Sequence, residues 1–157
     1  MSRICIYLKL PSYLDEWVRH NFGDPAVFPR HSPQNAVIRT FLRRLLNGEL
    51  PDLGAEGLTA VAIPDSVGKP LEVWNHLGPT GKQAVVESIQ DLFSRSLWSD
   101  ISPLIRPRLN LSVMIAAWCE RNGISDDGVE AVRQRYYRLR KDFAKRGVNI
   151  CHKKGEK

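Results

Sequence analysis

The sequence has few of the features that mark secreted or membrane proteins. It contains three cysteines, Cys5, Cys119 and Cys151, and such an odd, widely spaced set fits reduced buried thiols better than a disulfide framework. Its longest apolar run, residues 113–119, is far shorter than a membrane span, and the amino terminus lacks the basic-then-apolar plan of a signal peptide. These absences predict a soluble protein of the cytoplasm.

Catalytic and cofactor motifs are also missing. The four histidines are scattered, and no pair of them stands at metal-ligand spacing. The stretch "GPTGK" at 78–82 is similar to a phosphate-binding loop, but the full motif needs glycine and a hydroxyl residue where the chain has His76 and Gln83. Acidic pairs stand at predicted helix starts, where capping explains them. We therefore predict no catalytic residue, no cofactor and no metal, and a protein that is not an enzyme.

Acidic residues are scarce at the carboxyl end. Residues 1–128 carry 13 lysines and arginines against 14 acids, whereas residues 129–157 carry 10 against 3, a net charge of about +7. The stretch "AVRQRYYRLRKDFAKR" at 131–146 alone holds seven basic residues and one acid. Clustered cations favour nucleic acid because binding releases counterions from the phosphate backbone. An acidic protein partner is the alternative.

The amino-terminal region predicts a strand followed by two helices. "RICIYLKLP" alternates apolar and polar residues, with Ile4, Ile6, Leu8 and Leu10 on one face, which is typical of a half-buried strand. "PSYLDEWVRHNFG" predicts a short helix that ends at Gly23. "SPQNAVIRTFLRRLLNG" predicts a second helix with Ser32 as its cap and Gly48 beyond its end.

This order of elements, over residues 3–47, resembles the ribbon-helix-helix family of DNA-binding repressors. In that family two strands pair across a dimer and read the major groove, and the start of the second helix holds a phosphate. The insert "DPAVFPRH" departs from the family's tight turn, and an ordinary α+β domain explains the same pattern. The resemblance implies a second nucleic-acid surface, formed by Arg3, Cys5, Tyr7, Lys9, Ser32, Gln34 and Asn35.

Residues 58–98 repeat the same plan faintly. They predict a short strand, a short helix containing Leu71 and Trp74, a Gly-Pro break and a longer helix. An internal tandem repeat of 3–47 and 58–98 would let the strand near Ile6 pair with the strand near Val61 inside one chain. Coincidence is the alternative.

Two prolines in "ISPLIRPRLN", at 101–110, make this segment the candidate linker within a chain of two regions. Beyond it, "LSVMIAAWCERNGI" predicts a helix that ends at Gly123. The residues that follow predict a longer helix from about Gly128 to Arg146, with Asp127 and Glu130 at capping-box spacing. Residues 148–157 are predicted to form a flexible basic tail.

Helix, glycine-containing turn and helix, over residues 111–146, resemble the helix-turn-helix family of DNA-binding proteins. The family's packing positions fall on Trp118, Cys119, Ile124, Val129 and Val132, and an apolar stripe continues through Tyr136, Leu139 and Phe143. In that family the start of the second helix enters the groove. Here that start carries Asp126, Asp127 and Glu130, which phosphates repel, so the later turns are expected to make the contacts.

The polar face of the second helix supplies the predicted nucleic-acid-binding residues. Arginine and lysine reach phosphates, glutamine and arginine also bond base edges, and tyrosine packs on sugar or bonds a phosphate. These residues are Arg133, Gln134, Tyr137, Arg138, Arg140, Lys141, Lys145 and Arg146. In the alternative explanation these residues only solvate an exposed helix face and have no binding partner.

We therefore predict a mainly α protein with a small β element, an α+β fold that joins a strand-helix-helix region to a helix-turn-helix-like module. In general make-up the chain resembles small proteins of Mu-like prophages and other mobile elements. Its predicted partner is double-stranded DNA, bound by a transcriptional regulator or accessory factor for which a homodimer is one option. The alternative function is a protein-interaction or assembly factor whose basic helix docks on an acidic partner. RNA is an alternative target.

Overall fold

The computed structural model describes residues 4–147, so Arg3 and the predicted tail lie outside the described residues. As predicted, this part of the chain is mainly α with a small β element. Its helices are α1 (Ser12–Phe22), α2 (Pro33–Phe41), α3 (Pro79–Ile101), α4 (Leu111–Arg121) and α5 (Asp126–Lys145). Its strands are β1 (Cys5–Leu8), β2 (Arg43–Arg44), β3 (Thr59–Ala62) and β4 (Trp74–His76). None of the helices between residues 4 and 147 is long and apolar enough to cross a membrane.

The chain forms two compact units. The first contains residues 4–11 and Val18–Gln90, and the second contains Ser12–Trp17 and residues 91–147. The candidate linker at 101–110 lies wholly within the second unit. It is packed there, because Ile101 and Ile105 are buried and a short 3-10 turn follows α3.

An antiparallel pair of strands, β1 and β3, forms one sheet of the first unit. Ile6 lies opposite Val61, which is the pairing within one chain that the repeat hypothesis implies. Ala26 bridges to Val61 on the far edge of β3, and the N–H of Tyr7 donates to Asp52 Oδ2 at 3.2 Å on the far edge of β1. Both edges of this small sheet are thus partly covered from within the unit.

The second predicted helix starts as expected but ends early. Ser32 Oγ accepts a hydrogen bond from the N–H of Asn35 at 3.2 Å and caps α2, which then ends at Phe41 instead of near Gly48. The prediction of a longer helix was wrong because residues 43–44 pair with a distant strand. The apolar periodicity of the sequence does not report such long-range pairing.

That distant strand replaces a second predicted helix. The sequence indicates a short helix around Leu71 and Trp74, whereas the structure has turns there, followed by β4, which pairs with β2. The second half of the repeat hypothesis therefore has a strand and a later helix, as the first half does, but lacks the short helix between them. The later helices also differ in length, with 9 residues in α2 and 23 in α3. Trp74 also has the guanidinium of Arg44 5.3 Å and the ammonium of Lys69 5.2 Å from its ring centroid.

An ion pair holds the turn that follows β2. Arg43 Nη1 and Nη2 donate to the two carboxylate oxygens of Glu49, each at 2.8 Å, and the N–H of Leu46 donates to the same carboxylate at 2.9 Å. The bonds from Arg43, followed by that from Leu46, lower the pKa of Glu49 from 4.5 to about 2. Bidentate pairing of this kind fixes geometry as well as charge.

The second unit is built around aromatic rings. Phe93 packs edge-on against Trp17 and Trp118, with ring centroids 5.2 Å and 5.6 Å away, and lies 5.4 Å from Tyr13. The indole N–H of Trp118 donates to Asp100 Oδ2 at 2.9 Å. Buried indoles usually find such a partner, and edge-to-face pairs add to the gain from burying the rings.

The substitution Glu49→Gln is expected to lower the free energy of unfolding at pH 7 and to lose this effect in acid. A carboxyl group whose pKa falls on folding stabilises the folded state above its unfolded pKa of 4.5, and the contribution disappears as pH falls towards about 2. Urea unfolding of both proteins between pH 7 and pH 2.5 measures the difference. Glu56→Gln, at an exposed site outside the ion pair, is the control. A difference that stays constant with pH would contradict this account.

Candidate nucleic-acid interface

The helix pair predicted at the carboxyl end is present, and a tight turn joins its members. The N–H of Ile124 donates to the carbonyl of Cys119 at 2.9 Å, and the N–H of Gly123 donates to that of Glu120 at 3.3 Å. These two bonds make a Schellman end to α4, for which Gly123 supplies a φ of +74°. The predicted packing positions Trp118, Cys119, Ile124 and Val132 are all buried, and burial raises the pKa of the Cys119 thiol to about 11.

Capping of α5 differs from the sequence prediction. The helix starts after Ser125, two residues before the predicted start, and Asp127 lies inside its first turn. The carboxylate of Glu16 accepts hydrogen bonds from both the N–H and the Oγ of Ser125. Glu16 belongs to the α1 segment of the same unit. A carboxylate at the amino-terminal end of a helix also interacts favourably with the helix dipole.

One side of α5 is anchored to the second unit through its apolar stripe, as predicted. Val132 and Tyr136 are fully buried, and Leu139 and Phe143 are half-buried. The ring of Trp98 stacks on Tyr136 and on Phe143, with centroid distances of 5.5 Å and 4.3 Å. This stacking fixes the rotation of α5 about its axis, and so decides which side chains face outwards.

Two further interactions hold α5 closely. The hydroxyl groups of Tyr136 and Ser102 are 3.1 Å apart, and burial raises the pKa of Tyr136, so this phenol stays neutral. At Gly128 a Cβ atom would lie 2.9 Å from the Cβ of Tyr13 and 2.8 Å from the Cγ2 of Ile124. A glycine at this position therefore permits the close approach of α5 to the α1 segment.

Three cations project from the outer face of α5. Arg138, Lys141 and Lys145 are exposed, and their spacing of three and four residues places them on one face over roughly 10 Å of helix. Within residues 4–147 none of the three has an ion-pair partner. Tyr137 lies beside them with 42% of its surface exposed. We call these three cations the outer basic row.

Other members of the predicted site are already engaged. Glu130 accepts hydrogen bonds from the guanidinium of Arg133 and, at 2.9 Å, from Gln134 Nε2. Arg133 also reaches Ser112 Oγ at 3.4 Å. The earlier half of the predicted site is thus neutralised in part by an acid on its own helix.

The last two members differ in setting. Arg140 is half-buried, and the guanidinium of Arg146 lies 5.9 Å from the ring centroid of Phe143. Asp126 and Asp127, at the opposite end of α5, are exposed. The helix therefore presents negative charge at its start and mainly positive charge in its later turns, where Asp142 is also exposed. That the later turns contact phosphate stays a prediction.

The second predicted surface does not come together. Gln34 and Asn35 are only 3% and 4% exposed. Gln34 Nε2 donates to the carbonyl and hydroxyl oxygens of Ser88, at 3.1 Å and 3.0 Å, and so packs α2 on α3 within the first unit. The assignment of these two residues to a phosphate site is corrected accordingly, because their amides serve the interior.

The remaining members of that surface have different local settings. Ser32 is used as the helix cap, and Cys5 is half-buried. Tyr7 is half-buried against Gly54, where a Cβ atom would lie 2.8 Å from Cε1 of the tyrosine ring. Lys9 is exposed, and Arg3 lies outside the described residues. Among the members of this surface that the structure describes, Lys9 alone has the exposed side chain that contact with DNA requires.

Comparison of the chain with models of known protein families, with curated proteins and with solved structures gave no match. In residues 4–147 no three potential metal ligands lie together. The geometry and charge of α5 itself are therefore the features that point to a function.

The substitution Gly128→Ala tests the close approach of α5. Alanine would ordinarily stabilise a helix relative to glycine by about 1 kcal/mol. Here we expect a decrease in stability of about 1–3 kcal/mol, because the new methyl group overlaps Tyr13 and Ile124. Chemical denaturation of the two proteins measures this difference, and a stabilised variant would show that the packing at Gly128 is looser than described.

Proposed function

We propose that the protein binds double-stranded DNA through the outer basic row, as a non-catalytic regulator or accessory factor. The observation that carries this proposal is the set of exposed cations, Arg138, Lys141 and Lys145, without ion-pair partners between residues 4 and 147. Each cation that neutralises a phosphate releases condensed counterions, and this release drives binding at moderate salt. The seven basic residues of 131–146 supply further long-range attraction.

The support beneath the row favours this proposal over simple solvation of a helix face. Tyr136 and Phe143 fix one side of α5 against Trp98, so the cations stand on a helix with one defined rotation. Side chains on a rigid element lose less conformational freedom on binding than those on a loop. Such a row would lie along one strip of a nucleic-acid backbone.

The hydrogen bond of Gln134 indicates which kind of recognition to expect. Glutamine is the side chain near the outer basic row that is best suited to pair with adenine. The amide of Gln134 is already hydrogen-bonded to Glu130. Lysine and arginine on phosphate position a protein without reading sequence. We therefore expect affinity that depends strongly on salt and weakly on base sequence.

A triple variant, Arg138→Gln, Lys141→Gln and Lys145→Gln, tests the proposal. We expect much weaker binding to a random-sequence duplex, measured by fluorescence anisotropy at several salt concentrations. The slope of log affinity against log salt should fall by about 0.9 for each phosphate that is no longer neutralised, or roughly 2.7 for all three. Point substitutions on the outer face leave the buried side of α5, with Val132 and Tyr136, intact.

The control for charge is a second triple variant, Arg44→Gln, Arg95→Gln and Arg121→Gln, at exposed positions outside α5. It changes the net charge equally and should retain most of the slope. An equal reduction in both variants would mean that net charge alone attracts DNA, and no binding by the wild-type chain would refute the proposal. A parallel titration with an RNA duplex shows whether that polyanion is preferred.

A further inference from the structure

A solvent-open groove of about 1060 Å³ lies in the first unit. One side is formed by the segment around Phe28 and by Asn35 and Arg39 of α2, and the other by the chain after β3, from Ile63 to Glu72. None of the α5 residues lines it. Its volume is at the upper end of that of pockets for small organic ligands.

Four charged side chains line this groove without pairing. Arg30 and Arg39 come from the α2 side, and Asp65 and Glu72 from the loop side. Among residues 4–147 no ion pair joins any of them. Two cations and two carboxylates that face one groove, but do not meet, can be bridged by a ligand that carries both charges.

Hydrogen bonds to the backbone hold Arg39 and the loop that carries the two carboxylates. Arg39 Nη2 donates to the carbonyl of Arg30 at 3.2 Å, which places the Arg39 guanidinium beside the Arg30 backbone. Lys69 Nζ donates to the carbonyls of Arg39 and Leu42, at 2.6 Å and 3.2 Å, and so ties the loop that carries the carboxylates to the end of α2. The groove is therefore a built feature of the first unit.

Apolar side chains complete the lining. Val27 is 42% exposed, and Ile63 and Leu71 stand on the loop side of the groove. An apolar surface beside cations and carboxylates suits a ligand with an apolar body and charged ends.

We propose that this groove binds a short peptide with free termini, of about two to four residues. Its carboxylate would meet Arg30 and Arg39, and its ammonium group would meet Asp65 and Glu72. Its apolar side chains would cover Val27. This inference does not depend on the proposed binding of DNA.

The test is titration of the full chain with trileucine, trialanine and dileucine, followed by calorimetry and by ¹⁵N NMR. We expect saturable binding of trileucine that is tighter than that of trialanine. N-acetylation or C-amidation of trileucine should each weaken it by about tenfold, because each removes one charge-assisted interaction. Val27→Trp should abolish binding by filling the groove, whereas Val67→Trp, at a fully exposed site outside the lining, should not.

A second variant tests the same groove without filling it. Arg39→Gln should weaken binding of free trileucine several-fold, yet leave binding of its C-terminal amide unchanged, since only the free carboxylate pairs with Arg39. No saturable binding of any of the three peptides by the wild-type chain would overturn the proposal. Equal effects of Arg39→Gln on the free and the amidated peptide would overturn it as well.

Discussion

The stacking of Tyr136 and Phe143 on Trp98 is the constraint on which the arrangement of the carboxyl end depends. An amphipathic helix has one apolar stripe, and burial of that stripe leaves a single rotation about the helix axis. Removal of a buried aromatic side chain of this size typically costs about 3–5 kcal/mol, so the rotation is strongly enforced. The exposure of Arg138, Lys141 and Lys145 is a consequence of this packing.

Charge is distributed along α5 in a way that serves both stability and the proposed binding of phosphate. Glu16 and the exposed aspartates stand at the start of the helix, where a negative charge is favourable. The later turns carry the outer basic row, where cations are favourable for the same reason. Glu130 lies between these two regions and engages Arg133 and Gln134, so these two residues are not free to contact phosphate. The effective interface is therefore shorter than the basic stretch in the sequence.

The first unit shows where local pattern and long-range pairing disagree. Apolar residues at helical spacing continue past Phe41, but Arg43 and Arg44 pair with β4, and Arg43 binds Glu49. Propensity for a helix is a weak preference that such interactions override. The amides of Gln34 and Asn35 are a second example, since a polar residue near a helix start has the same sequence signal whether it faces solvent or the interior.

Period, capping residues and charge count are local properties, and from them the sequence by itself determined β1, α1, the start of α2, the helix pair α4 and α5, the buried stripe of α5 and the basic end. Only the tertiary structure decided which side chains are left over for function. It assigned Glu16 to the start of α5, engaged Gln134 through Glu130, and left Arg138, Lys141 and Lys145 on the outer face. The reason is physical: hydrogen bonds and ion pairs depend on distance in space, and residues 109 positions apart meet only after the chain has folded.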